Sequence, residues 1–254
     1  MTMTTCGTVC PKCKGTGWMF IDDNTVQECE CGLLDKERME SKLQFASIPE
    51  TYRKVTLKDL KTSLYQKREN KDIFKGIANT VKWYLDNLES NIEQGKGLYF
   101  WSSTKGSGKT MTATAIANEL INTHKKYVKF ATSLDILDEI RSTYNKDSED
   151  NESKLLSDLA KAEFLVIDDF GTERATDWAG EKFYQIVNKR YINQKVTFFT
   201  SNYDLNNLKY DDRITNRIKE RSYIAHFPEE SVREVIAKRD NSIREKMYET
   251  EKLE

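Results

Sequence analysis

Apolar positions recur every three or four residues through Ile73, Ile77, Val81, Leu85, Leu88 and Ile92, the spacing of one buried helix face. Gly95-Lys96-Gly97 ends that helix. Beyond it, short apolar runs near residues 98–102, 127–131, 164–168, 196–200 and 222–227 read as strands, and the longer stretches between them as helices. Strand and helix in alternation predict an α/β fold: a five-stranded, mainly parallel sheet with helices on both faces. Towards the N-terminus a helix is expected from Leu33 to Phe45, and Ile48-Pro49-Glu50 interrupts it because proline cannot continue a helix. The polar, weakly periodic stretch 61–72 reads as a linker between an N-terminal module, residues 1–60, and a main domain, residues 73–254. The acidic, Asn-rich stretch 145–153 reads as a solvated loop, and no internal repeat is present.

Composition narrows the function classes. Lys+Arg 40 against Asp+Glu 41 leaves a formal charge of −1, so any nucleic-acid contact must be local rather than a general coating of a polyanion. The mean hydropathy of −0.71 predicts a heavily solvated surface, while 11 Phe, 12 Tyr and 4 Trp supply the bulk of a core. No apolar run approaches the ~20 residues that cross a bilayer. The start, MTMTTCGTVC, has neither the basic nor the apolar region of a secretory signal, so the expected setting is cytoplasmic, reducing and without membrane contact. All five cysteines fall between positions 6 and 31, a local cluster that suggests a metal rather than disulfide staples.

The segment LYFWSSTKGSGKT, residues 98–110, runs from a strand through a glycine-containing turn into the helix MTATAIANELI. Gly106 and Gly108 let successive amides turn inward, and the helix N-terminus adds its positive dipole end. Ser103, Thr104, Lys105, Gly106, Ser107, Gly108, Lys109, Thr110 and Met111 therefore form a candidate phosphate cradle. Lys109 would meet the β and γ phosphates and the Thr110 hydroxyl would ligate Mg2+. The usual pattern has glycine where Ser103 stands; a lysine-rich surface turn is the bland alternative, and the flanking strand and helix argue against it.

The run FLVIDDFG ends an apolar strand in two acids. In such a sheet ligands sit beyond the carboxyl ends of the strands, so Asp168 would hold the Mg2+ water shell and Asp169 would orient the attacking water; a solvated turn is the alternative. Asp168-x-x-Gly171 also fits a GTPase motif, but no N-K-x-D follows, since Asn188-Lys189 continues as Arg190-Tyr191, and ATP is favoured over GTP. Asn202, just past VTFFTSN, is placed either on the lytic water or γ-phosphate or in an Asx turn before Asp204. Arg213 and Arg217, one helical turn apart, are either a solvated face or a finger reaching into the next subunit's ATP. Arg233 is a candidate intramolecular phosphate sensor, and the short tail after it leaves no room for a full helical lid domain.

Cys10-Pro-Lys-Cys13 and Cys29-Glu-Cys31 bring four thiolates into a spacing that can close tetrahedrally on Zn2+, with Cys6 as a spare. An iron–sulfur cluster would use the same ligands. A closed site of this kind is structural, stabilises a segment too small for its own core, and presents a surface.

On SSTKGSGKT, FLVIDDFG, FFTSN and RITNRI followed by a late arginine, residues 75–235 resemble the DnaC/DnaI-type replicative helicase loaders of bacteria and phages. These are AAA+ ATPases of the branch that also holds the IstB transposition ATPases. The resemblance implies Walker A roles for Lys109 and Thr110, Walker B roles for Asp168 and Asp169, sensor 1 for Asn202 and sensor 2 for Arg233. It implies Arg217 as the arginine finger with Arg213 beside it. Family members more often carry Glu at the Asp169 position, which bears on hydrolysis more than on ATP binding. The resemblance also implies single-stranded DNA contacts at Tyr144, Thr176 and Trp178, where aromatic rings stack on bases of any sequence. Tyr144 equally continues the stripe Leu134, Leu137, Ile140, a core role.

The expected function is an ATP-dependent loader whose zinc module grips a hexameric DnaB-type helicase. Its AAA+ domains would self-associate, as a hexamer or open spiral, to deliver that helicase onto single-stranded DNA. The alternatives are an IstB-like transposition helper ATPase and a non-hydrolysing helicase-binding module.

Overall fold

The computed structural model describes residues 10–22, 25–144 and 150–251. A cysteine-bearing turn leads into an antiparallel hairpin, β1 (Trp18–Asp22) and β2 (Thr25–Glu28), which the sequence reading missed; Cys29 then precedes helix α1 (Leu33–Ala46). Three 3-10 turns, at Glu50–Tyr52, Leu57–Asp59 and Thr62–Leu64, lead to α2 (Arg68–Asp86) and α3 (Leu88–Glu93). Next come β3 (Gly97–Trp101), α4 (Lys109–Asn122), β4 (Val128–Thr132), α5 (Ser133–Thr143), α6 (Asp150–Lys161) and β5 (Phe164–Phe170). The chain continues through α7 (Asp177–Ile192), β6 (Val196–Ser201), α8 (Asp212–Glu220), β7 (Ser222–His226) and α9 (Val232–Glu251).

The five core strands lie in the order β4-β5-β6-β3-β7 with every pairing parallel, as the alternating pattern predicts. Side chains alternate between the two faces. Leu98, Phe100, Phe164, Val166 and Phe198 pack with α2 and α4, while Tyr99, Leu165, Ile167 and Phe199 pack with α5, α7 and α8. This double burial makes the strands near-continuous apolar runs. No helix among the described residues is long and apolar enough to cross a membrane.

Three further details differ from the sequence reading. The helix expected over 73–92 starts earlier, at Arg68, and breaks at Asn87, whose side-chain amide donates to the Trp83 carbonyl at 2.8 Å and competes with the helical ladder. The stretch 61–72, read as a linker, packs on the core instead: Tyr65 is buried against Phe74 and its hydroxyl donates to the Ser107 carbonyl at 2.7 Å. Burial of one aromatic outweighs the polar composition around it. Of the expected loop 145–153, residues 145–149 lie outside the described residues and 150–153 open α6, an amphipathic helix.

Candidate nucleotide site

β3 runs straight into residues 102–108 and α4. Gly106 and Gly108 hold φ at 78° and 99°, backbone that an L side chain adopts only under strain. A Cβ on Gly108 would stand 3.0 Å from the Tyr65 hydroxyl. The first amides of α4 have no intrahelical acceptor, which leaves them for an anion. Lys109 lies buried beneath the loop, its Nζ donating to the carbonyls of Ser102 at 3.2 Å and Thr104 at 3.1 Å and to Ser107 Oγ at 3.3 Å. Burial pulls its pKa down, and the charges of Asp169, Glu229 and Asp168 oppose that pull.

β5 delivers the acid pair to the same place. Asp168 is buried, accepts from Thr200 Oγ1 at 2.5 Å and is hydrogen-bonded to the Thr110 side chain. Burial raises its pKa, and the neighbouring Asp169 charge adds to the rise. The register with β6 shifts between Ile167 and Phe170, and within that shift Asp169 takes φ 54°. Its amide donates to Thr200 Oγ1 at 2.9 Å, and its carbonyl accepts from Ser133 Oγ at 3.0 Å and Thr172 Oγ1 at 2.7 Å. The bulge thus turns two adjacent acids in different directions, one under the loop and one into the cleft.

A cleft of about 440 Å³ gathers Lys105 through Met111, Asp169, Asn202 and Arg233, with Thr172, Tyr52, Val232 and Ile236. The phosphate loop, the second acid, the carboxamide past β6 and the late arginine therefore meet, although α9 carries Arg233 from the far end of the chain. The Val232 amide fastens that helix to the loop by donating to the Gly106 carbonyl at 2.9 Å. Ser103 and Thr104 lie at the outer end of the loop, bonded to Glu229. Thr200, Tyr52 and Glu229 escaped the sequence reading. Thr200 sits inside the apolar run VTFFTSN, but nothing in the sequence marks Glu229.

Two expected groups stand elsewhere. Arg213 and Arg217 do not line the cleft; they lie on α8 over the Tyr184 ring, at 4.8 and 5.2 Å from its centroid. Arg213 pairs with Asp211 at 2.9 Å. Tyr144 and Trp178 meet edge to face, with Trp178 Nε1 donating to the Tyr144 hydroxyl at 3.1 Å. Arg141, which the sequence reading did not single out, stacks over the Trp178 ring at 4.8 Å. The Thr176 hydroxyl caps α7 by accepting from the Ala179 amide at 3.2 Å.

The sulfurs of Cys10, Cys13, Cys29 and Cys31 all lie within 4.8 Å of one another, and two pairs stand at 3.8 and 3.7 Å. Four thiolates at ~2.3 Å around a tetrahedral Zn2+ have sulfurs about 3.8 Å apart, so the set fits a closed zinc site. Burial pushes Cys13 up, but the amides of Gly17 and Gly15 and the neighbouring thiols bring it down to about 7, while Cys29, lowered by the Cys31 amide, is raised by burial and the other thiols to about 12. Cys6 lies outside the described residues.

A parallel sheet in this order with a lysine loop at its carboxyl edge is the AAA+ type of ATP-binding domain. The chain belongs to the family of IstB-like ATP binding proteins, whose pattern matches residues 85–246. It is similar to the replicative helicase loader DnaC of Buchnera aphidicola subsp. Baizongia pistaciae, 29% identical over 147 residues, 57% of this chain and 58% of that one. It is also similar to the phage-like element PBSX protein XkdC of Bacillus subtilis, 27% identical over 218 residues, 83% of this chain and 78% of that one. The chain thus spans just over half the length of the DnaC relatives it matches. In fold it is similar to a crystal structure of the DnaC helicase loader, with TM-score 0.60 and 24% identity, covering 71% of this chain and all of that one.

Proposed function

We propose that this chain is an ATP-driven loader of a DnaB-type hexameric helicase, acting in the cytoplasm to place that helicase on single-stranded DNA. The observation that carries the reading is the convergence of Lys109, Asp169, Asn202 and Arg233 on one cleft, in a chain whose relatives include replicative helicase loaders.

In this reading the amides of residues 105–110 and Lys109 hold the β and γ phosphates, and Thr110 with Asp168 holds Mg2+. Asp169 and Asn202 orient the water, and Arg233 reports on the γ-phosphate from α9. Arg217, with Arg213 beside it, serves the cleft of an adjacent copy, which fits its position on α8 away from its own cleft. ATP supplies a removable γ-phosphate that bridges two subunits, so hydrolysis becomes a release signal. The four thiols hold Zn2+ and shape the module that grips the helicase. Arg141 joins Tyr144 and Trp178 in a patch suited to stacking on bases, while Thr176 holds the start of α7 beside it.

Lys109→Ala tests the reading: ATP turnover should fall at least about 100-fold and helicase loading should fall with it. Loading that survives without nucleotide binding overturns it. The family match equally suits an IstB-like transposition helper. Co-purification with the replicative helicase in ATP and in ADP separates the two, because a transposition helper has no use for that partner.

A further inference from the structure

Phosphate loops of this pattern begin with glycine, and this one begins with Ser103. The structure gives that serine a partner. Glu229, in the turn between β7 and α9, accepts from the Ser103 amide at 3.0 Å and hydroxyl at 2.7 Å, and from the Thr104 amide at 2.8 Å and hydroxyl at 2.7 Å. His226 Nε2 stands 2.8 Å from the carboxylate oxygen that also takes the Ser103 amide, and its ring stacks on Trp101 at 4.0 Å between ring centroids. The same turn and the start of α9 grip the loop twice more, through Ser102 Oγ donating to the Pro228 carbonyl at 3.2 Å and the Val232 amide donating to the Gly106 carbonyl at 2.9 Å. Glu230, the next residue, accepts from the Gln66 amide and the Asn70 side chain, each at 2.6 Å.

We infer that Glu229 is a positioning residue for the nucleotide, holding the entry of the phosphate loop through Ser103 and Thr104 so that the amides of residues 105–110 already face inward. The inference rests on the ATP reading above. The carboxylate bonds to groups that precede the phosphate-facing amides, so it orders the loop without competing for the ligand. Ordering before binding removes an entropy cost from the binding step. Its negative charge also attracts the buried Lys109 ammonium. Against these gains stands the repulsion between a carboxylate and a triphosphate, so the sign of the Glu229→Ala effect decides which influence wins.

The test measures affinity of the full chain for a fluorescent ATP analogue with Mg2+, together with KM and kcat for ATP, in the unaltered protein and in Ser103→Ala, Glu229→Ala, the double variant and Glu229→Gln. Charged hydrogen bonds of this kind predict binding about tenfold weaker in Glu229→Ala, with KM rising by a similar factor and kcat changing less. The double variant should lose less than the product of the single losses, because both changes break one network. Glu229→Gln should recover part of the affinity, since its carbonyl still accepts from Thr104. Thermal midpoints without nucleotide identify the folded fraction. A lower midpoint with unchanged affinity of the folded protein, an affinity that tightens, or single effects that multiply each overturns the inference. Failure of the unaltered protein to bind nucleotide overturns the ATP reading instead.

Discussion

Among the described residues 10–32, Cys13 and Cys29 are the only side chains beyond glycine that are buried, whereas β3, β5 and β6 bury nearly every position. The hairpin beside the thiols leaves Phe20 81% and Ile21 60% exposed, while Phe198 in the sheet is 0% exposed. One region is held by dispersion and apolar burial; the other, among its described residues, buries little beyond two of its four clustered thiols. The two should therefore answer to different perturbations, and each can be broken while the other stands.

The largest expected effect is metal removal. Structural zinc in such small modules is worth ~10 to 16 kcal/mol, so a strong chelator or Cys13→Ser should abolish amide protection across residues 10–32 and release about one Zn2+. The sheet should keep its unfolding midpoint; protection that survives chelation would erase the distinction between the regions. Next in size, Phe198→Ala should cost about 3–5 kcal/mol in denaturant unfolding. Phe20→Ala should stay within about 0.5 kcal/mol, and similar losses for the two would contradict the assignment of cores. Thr176→Ala removes the α7 cap and should cost about 1 kcal/mol, read as faster amide exchange in the first turn of that helix.

The last effect is electrostatic. Burial pushes Glu229 up, but hydrogen bonds from His226, Ser103 and Thr104 bring it from 4.5 down to about 2. A depressed carboxylate stabilises the fold fully above the ordinary value and loses that contribution as pH falls towards 2. Stability should therefore decline across that acid window, and Glu229→Gln should flatten the decline. An unchanged slope would mean that the bonds to the loop do not persist in solution.

Much of this molecule is legible in the sequence for one reason: doubly buried strands must be continuously apolar, so FLVIDDFG and VTFFTSN announce both their elements and the polar groups at their ends. The cysteine spacing was equally readable, because ligand geometry constrains it. The β1–β2 hairpin was not, since its exposed strands lack the alternation that a half-buried sheet imposes. Tyr65 was hidden in a polar stretch, and its burial depends on a cavity built by α2 and the phosphate loop.

The sequence by itself determined the alternation of strands and helices from β3 onward, the lysine loop, the acid pair and the set of four thiols, because each is a local pattern with a local physical cause. Only the tertiary structure decided that Arg233 and Asn202 share a cleft with Lys109, that Arg213 and Arg217 lie outside it, and that Glu229 braces Ser103. Those relations join residues far apart in the chain, and no periodicity or spacing encodes a contact that exists only once the sheet has closed around its helices.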